Sequence, residues 1–200
     1  MIDRQLRVSL ACAGFALFSA NALAEVQTAT LENATLTIDT DTNDFKIKAL
    51  RNNSFQVTYL TDGKGAPYAN LPSMALPEEA TSAVTKDIAG DVELEETATT
   101  LTLKFNNISA HVDKSTHVIS YSVNGKVVAK EQDGLNISDN GVSLSFALDE
   151  NEKLYGGGQR VLGMDRRGHS MPLYNKAHYG YTTSSNQMYF GLSAVMSSKN

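Results

Sequence analysis

The chain has 200 residues, 42% of them hydrophobic, with 17 Lys and Arg against 22 Asp and Glu for a net charge of −5. No basic stripe is available for a phosphate backbone, so nucleic acid is excluded as a partner. With a single cysteine and no Trp, the chain must hold itself together by core burial rather than by disulfides.

The first element in chain order is an export signal. Arg4 and Arg7 precede an apolar run from Val8 to Phe18, and Ala22-Leu23-Ala24 supplies a small-x-small cleavage site before Glu25. The run is shorter than the roughly 20 apolar residues that cross a bilayer. Residues 1–24 are therefore read as a signal peptide and 25–200 as one exported domain, periplasmic or secreted. Cys12 lies inside the signal, which leaves the mature chain without a thiol. Without Asp3, Arg4 and Arg7, 15 basic and 21 acidic residues remain, a net charge of −6. No later apolar span or basic amphipathic segment points to a membrane partner.

Strand signals follow. Alternation of apolar and polar residues marks TLTID from Thr35, FKIKAL from Phe45, FQVTYL from Phe55, VELEE from Val92, LTLKF from Leu101, VISYSV from Val118 and VSLSFAL from Val142. Asn124-Gly125 and Asn140-Gly141 read as two-residue hairpin turns. No segment carries a helical stripe, so the fold class is all-β, an antiparallel β-sandwich. Thr61 to Asp91, with Pro67, Pro72 and Pro77, is a long excursion with at most a short helix around Glu78 to Val84.

Several candidate sites reduce to structural readings. Asp39-Thr-Asp41-Thr-Asn43 resembles the start of a calcium loop, but Asp44 stands where the turn glycine belongs and Leu50 where the closing glutamate belongs, so it reads as an acidic turn. His111 and His117 lack further ligands at zinc spacing. Gly156-Gly157-Gly158 has no following lysine and no βαβ setting, so it is no phosphate loop. No metal or other cofactor is implied.

The stretch from Tyr155 to Tyr181 differs from all that precedes it, with six glycines, three arginines, two histidines and four tyrosines in 27 positions. Glycines allow close approach of another backbone or a ligand. Arg160, Arg166 and Arg167 offer forked donors for carboxylates and carbonyls, and from Tyr155 to Gly168 a glycine-rich corner with carbonyl-satisfying arginines is the favoured reading. Tyr174, Tyr179 and Tyr181 offer flat faces suited to sugar C–H groups, with Asn175, Lys176 and His178 nearby for hydroxyls.

The order Leu154-Tyr155-Gly156-Gly157-Gly158-Gln159, then Asp165-Arg166-Arg167-Gly168, then Leu173-Tyr174-Asn175-Lys176-Ala177-His178-Tyr179-Gly180-Tyr181, then Leu192 to Ser197-Ser198-Lys199 resembles the N-terminal domain of glycoside hydrolase family 31. The loop version looks most like secreted bacterial α-transglucosylases and α-glucosidases. The resemblance implies a galactose-mutarotase-like sandwich followed by a (β/α)8 barrel of the same chain, on which it packs. It also implies retaining cleavage or transfer of α-glucosyl units of an oligosaccharide, by two aspartates of the barrel expected beyond residue 200. Residues 25–200 alone are then expected to be inactive. In such enzymes a sandwich loop lines the sugar site, which makes Asn175, Lys176, His178 and Tyr179 the candidate substrate contacts. Two departures are visible: Gln159 replaces a common glutamate, and Ala177 stands where many members carry a substrate-contacting aspartate. The alternatives are a stand-alone carbohydrate-binding sandwich and a structural exported module without catalysis.

Overall fold

The structure is a computed structural model that describes residues 26–51, 53–60, 88–139, 141–177 and 179–199. The signal peptide, Glu25, residues 61–87 with the expected short helix, Asn140 and His178 lie outside the described residues. Twelve strands and one 3-10 turn, Ala89–Asp91, make up the regular structure of the described residues. All sheet pairings between them are antiparallel.

Four strands form the first sheet in sequential order: β1 (Val26–Glu32), β2 (Thr35–Thr40), β3 (Asp44–Leu50) and β4 (Ser54–Leu60). Six form the second, also in sequential order: β5 (Val92–Glu96), β6 (Thr100–Phe105), β7 (Ile108–Asp113), β8 (Ile119–Val123), β9 (Lys126–Ser138) and β10 (Gly141–Phe146). A third, two-stranded sheet pairs β11 (Leu154–Gly158) with β12 (Gly191–Ser197). All seven stretches of alternation are strands.

The alternation fixes which faces meet. Leu36, Ile38, Phe45, Ile47 and Ala49 of the first sheet share one buried cluster with Leu101, Leu103, Ala110, Val112 and Ile119 of the second. Each large apolar side chain removed from water in this way contributes about 1.5–3 kcal/mol. The Asn124-Gly125 turn has φ of 51° and 77°, and Val123 pairs with Lys126 across it, as a two-residue hairpin requires. The Asp39 to Asn43 stretch is an acidic turn: Thr28 donates its hydroxyl to Asp39, and Asp44 Oδ1 accepts the Thr40 N–H at 2.9 Å.

His111 and His117 serve different places. His111 sits on the solvent face of β7, with Nδ1 3.1 Å from Thr102 Oγ1 of β6 and Nε2 2.9 Å from Ser122 Oγ of β8. Burial, then the Lys104 charge, holds its pKa below the usual value. The ring is a neutral cross-strand tie. Among the described residues no group of three or more His, Cys, Asp or Glu is placed to hold a metal ion.

Among the described residues, one carboxyl lies inside the sandwich. Glu131 of β9 has 0% exposure; its Oε1 accepts the Tyr59 hydroxyl of β4 at 3.0 Å and its Oε2 accepts the Ile119 N–H of β8 at 3.0 Å. This is a polar tie from one sheet to the other. Burial raises the Glu131 pKa, and the two hydrogen bonds offset that only in part. Burial, reinforced by the Glu131 charge, also pushes the Tyr59 phenol upward.

Because the folded pKa of Glu131 lies above its unfolded value near 4.5, its protonation contributes stability that is fully present below that value. This contribution is lost as pH rises through the folded pKa. Glu131→Gln keeps an acceptor for Ile119 and removes the titration, so wild type minus variant stability is expected to shrink as pH rises from below 4.5 through the raised folded pKa. Glu131→Ala leaves two buried donors unpaired and is expected to cost about 2–5 kcal/mol in chemical denaturation. A pH-independent difference for the Gln variant would rule out the titration.

Candidate functional site

The stretch that resisted a strand reading is β11. Its glycines exist because a second backbone runs against them: a Cβ on Gly156 would lie 2.3 Å from the Ala194 carbonyl oxygen, and one on Gly158 would lie 2.6 Å from the Phe190 carbonyl oxygen. Both residues also have positive φ, 115° and 84°, where side chains are strained. β11 and β12 are thereby drawn together, and residues 159–190 leave and return as one loop.

Three arginines tie that loop down, each through carbonyls. Arg160 donates from Nη1 to Gln159 O (2.6 Å) and Phe190 O (2.8 Å), and from Nη2 to Pro172 O (2.5 Å). Arg166 donates from Nε to Gly156 O (3.1 Å) and from Nη1 to Gly163 O. Arg167 Nη1 reaches Asp149 O (2.5 Å), Glu150 O (3.1 Å) and Glu152 O (2.8 Å). Of the two roles expected for these donors, carbonyl satisfaction is the one used. Asp165 completes the corner, with Oδ1 accepting the N–H groups of Leu154 and Arg167, both at 3.1 Å. The Arg167 and Leu154 amides hold its pKa below the usual range.

A second anchor lies where the loop's flanks meet. Glu152 is buried; its Oε1 accepts the Ser197 hydroxyl at 2.6 Å and its Oε2 the Asp149 N–H at 2.9 Å. The Ser197 and Asp149 hydrogen bonds lower its pKa. Lys199 Nζ stands 2.7 Å from Asp149 Oδ2.

On this frame the loop displays aromatic side chains. Tyr179 is 87% exposed and meets Tyr189 edge-on at 6.3 Å and 85°. Tyr181 meets the same ring at 6.2 Å and 90°. Tyr174 and Phe190 are exposed as well. Such rings present apolar faces with polar tips, the chemistry that suits a sugar ring.

The four candidate contacts fall in different places. Asn175 Oδ1 accepts the Gly191 N–H at 2.7 Å, so one end of its amide fixes the loop to β12, and Nδ2 has no partner among the described residues. Lys176 is exposed. Tyr179 belongs to the ring cluster. His178 lies outside the described residues. Ala177, at the departure from the aspartate pattern, is exposed beside them.

Sequence reading missed Tyr189 and Gln187. Tyr189 is the ring that joins Tyr179 to Tyr181; the only signal was the pair Tyr189-Phe190 ahead of β12. Gln187 is buried and donates from Nε2 to Tyr174 O and Met188 O, both at 3.0 Å. Nothing in its local pattern marks a buried amide.

The backbone approach at β11 is testable. Gly156→Ala places a methyl against a carbonyl that cannot swing away and is expected to cost at least ~2 kcal/mol. Gly163→Ala, at φ 81° in open space, is expected to cost about 1 kcal/mol from the backbone alone. Urea denaturation compares the two, and equal losses would show that the β11–β12 approach sets no limit.

The fold recurs in solved structures, among them a glycoside hydrolase family 31 enzyme. The chain superposes on a dextranase of Flavobacterium johnsoniae complexed with glucose, with a TM-score of 0.72 at 17% identity over 88% of this chain and 21% of that one. A cycloalternan-forming enzyme from Listeria monocytogenes in complex with pentasaccharide substrate gives 0.61 at 14% identity, over 88% and 16%. A glucosidase II alpha subunit gives 0.63 at 14%, over 90% and 26%. The chain thus spans about a fifth of the length of these relatives. No curated protein sequence matches it. Residues 27–200 match the glycosyl hydrolase 31 N-terminal galactose mutarotase-like domain, and the chain belongs to that family.

Proposed function

We propose that this chain is the N-terminal domain of an exported glycoside hydrolase family 31 enzyme. That enzyme acts on α-linked glucosyl oligosaccharides by retaining hydrolysis or glucosyl transfer, with a barrel domain of the same polypeptide carrying the chemistry. The observation that carries the reading is the aromatic loop: Tyr179, Tyr181 and Tyr189 stand exposed, while the backbone beneath them is pinned by Asn175, Gln187 and Arg160. Fixed rings lose little freedom when a sugar stacks on them. Asn175 through Nδ2, Lys176, His178 and Tyr179 are the proposed sugar contacts. Export follows from Arg4, Arg7 and the Ala22-Leu23-Ala24 site.

Surface chemistry supports a packed neighbour. Val142 and Ile137 are cross-strand partners on the exposed β9–β10 edge, and Phe146 and Leu148 continue the apolar run. Leu192, Val195 and Met196 of β12 are exposed too. Apolar surface concentrated in this way marks an interface. The barrel domain is its proposed partner.

Tyr179→Ala in the full-length enzyme is expected to weaken sugar binding or shift the transfer-to-hydrolysis ratio by about 5- to 150-fold, the equivalent of roughly 1–3 kcal/mol. At 87% exposure the same change should leave the melting temperature nearly unaltered. A large fall in melting temperature with unchanged kinetics would remove Tyr179 from the sugar site.

Residues 25–200 on their own are expected to turn over no aryl α-glucoside. Turnover above a heat-killed control would place the chemistry within the sandwich. A coding sequence that stops at codon 200 would favour a stand-alone carbohydrate-binding module instead.

A further inference from the structure

The aromatic cluster of the loop has a centre, and it is the ring that the sequence left unmarked. Tyr189, two residues before β12, meets both Tyr179 and Tyr181, with centroid distances of 6.3 and 6.2 Å and interplanar angles of 85° and 90°. Both pairs fall in the edge-to-face range in which aromatic rings attract one another. Among the described residues Tyr179 and Tyr181 meet no ring other than this one.

The backbone on either side of Tyr189 is fixed. The Met188 carbonyl accepts Nε2 of the buried Gln187 at 3.0 Å, and the Phe190 carbonyl accepts Arg160 Nη1 at 2.8 Å and the Gln159 N–H at 2.9 Å. The Met188 side chain is buried beneath. Tyr179 stands in a different setting: it is 87% exposed and shares a turn with Gly180, whose φ is 75°. An exposed ring left to itself samples several rotamers, and ordering it on a ligand opposes binding. Contact with a ring on a fixed backbone removes part of that cost in advance.

All three rings remain open to solvent. Tyr179 and Tyr181 each stand at right angles to the ring they share, so the cluster offers two outer tyrosines around one support. Each outer tyrosine has an apolar face for sugar C–H groups and a hydroxyl for the sugar's rim. A single sugar ring covers one such face, and a chain of rings covers both.

We propose that Tyr189 is a positioning residue that joins Tyr179 and Tyr181 into one surface, and that this surface selects an oligosaccharide of two or more rings over a single sugar. The inference rests on the reading of this loop as a sugar site.

The test uses the full-length enzyme. Initial rates on maltotriose and isomaltotriose give KM and kcat, and inhibition by methyl α-glucoside gives the affinity for a single ring. Tyr189→Ala is expected to raise the trisaccharide KM about 5- to 20-fold, with kcat and the methyl α-glucoside inhibition constant each changed less than about twofold. Tyr189→Phe keeps the ring and is expected to stay within about twofold of wild type throughout. Tyr181→Ala, at an exposed position, is expected to raise the trisaccharide KM about 3- to 10-fold without lowering the melting temperature. Equal losses for the single ring and the trisaccharides would overturn the inference, as would a Tyr189→Phe variant as impaired as Tyr189→Ala. If Tyr179→Ala raises KM while Tyr189→Ala and Tyr181→Ala leave it unchanged, the inference falls and the sugar site stands. If none of the three moves it, the sugar site falls with the inference.

Discussion

Everything the C-terminal third of the domain displays depends on two backbones meeting at β11 and β12. Side chains at 156 and 158 would collide with the Ala194 and Phe190 carbonyls, so glycine is required where the strands close. Their approach brings Phe190 O within reach of Arg160 and of the Gln159 N–H. It also sets Gly191 N–H against Asn175. The loop between the strands is consequently short of freedom despite its length, and its tyrosines project from a fixed base. Rigidity is placed under the aromatic surface rather than within it.

The sandwich behind this corner follows a different rule. Its interior is closed by alternating Leu, Ile, Val and Phe, and the Glu131 carboxyl is admitted to it. A carboxyl there costs stability unless both oxygens are used, and Tyr59 and Ile119 use them. In return it joins strands of opposite sheets at a defined register. Among the described residues, the exposed large hydrophobics all fall between Val127 and Met196. Stability is thus built by the first strands, and the later ones carry the apolar and aromatic surface available for contact.

Most of the sandwich was legible because half-buried strands write their burial as alternation, and the seven alternating runs are all strands. β1 was less visible: Val26, Ala29 and Leu31 are only partly buried at a sheet edge, and a register shift falls between Val26 and Thr28. β11 was hidden because its selection is for absence of side chains, which leaves no pattern to read. At the site, the arginine corner was legible from composition, since donors beside glycines imply carbonyls to satisfy. Asn175 was visible as a residue type, but its bond to Gly191 was not, because that bond spans 16 positions. Gln187 and Tyr189 owe their roles to contacts that only the closed loop creates.

The charges of the corner also constrain what the loop can do. Arg160, Arg166 and Arg167 are committed to backbone carbonyls. Asp165, the only acidic residue from Leu154 to Lys199, is committed through Oδ1 to two backbone amides. Lys176 remains as an exposed cation. A retaining glycosidase needs two carboxyl groups about 5 Å apart, and this segment has one. The segment therefore presents ring faces, an amide and an ammonium, and lacks the pair of carboxyl groups that retaining cleavage requires. At Gln159 the contact runs through the backbone: Arg160 takes the Gln159 carbonyl with Nη1, while its Nε stays buried without an acceptor.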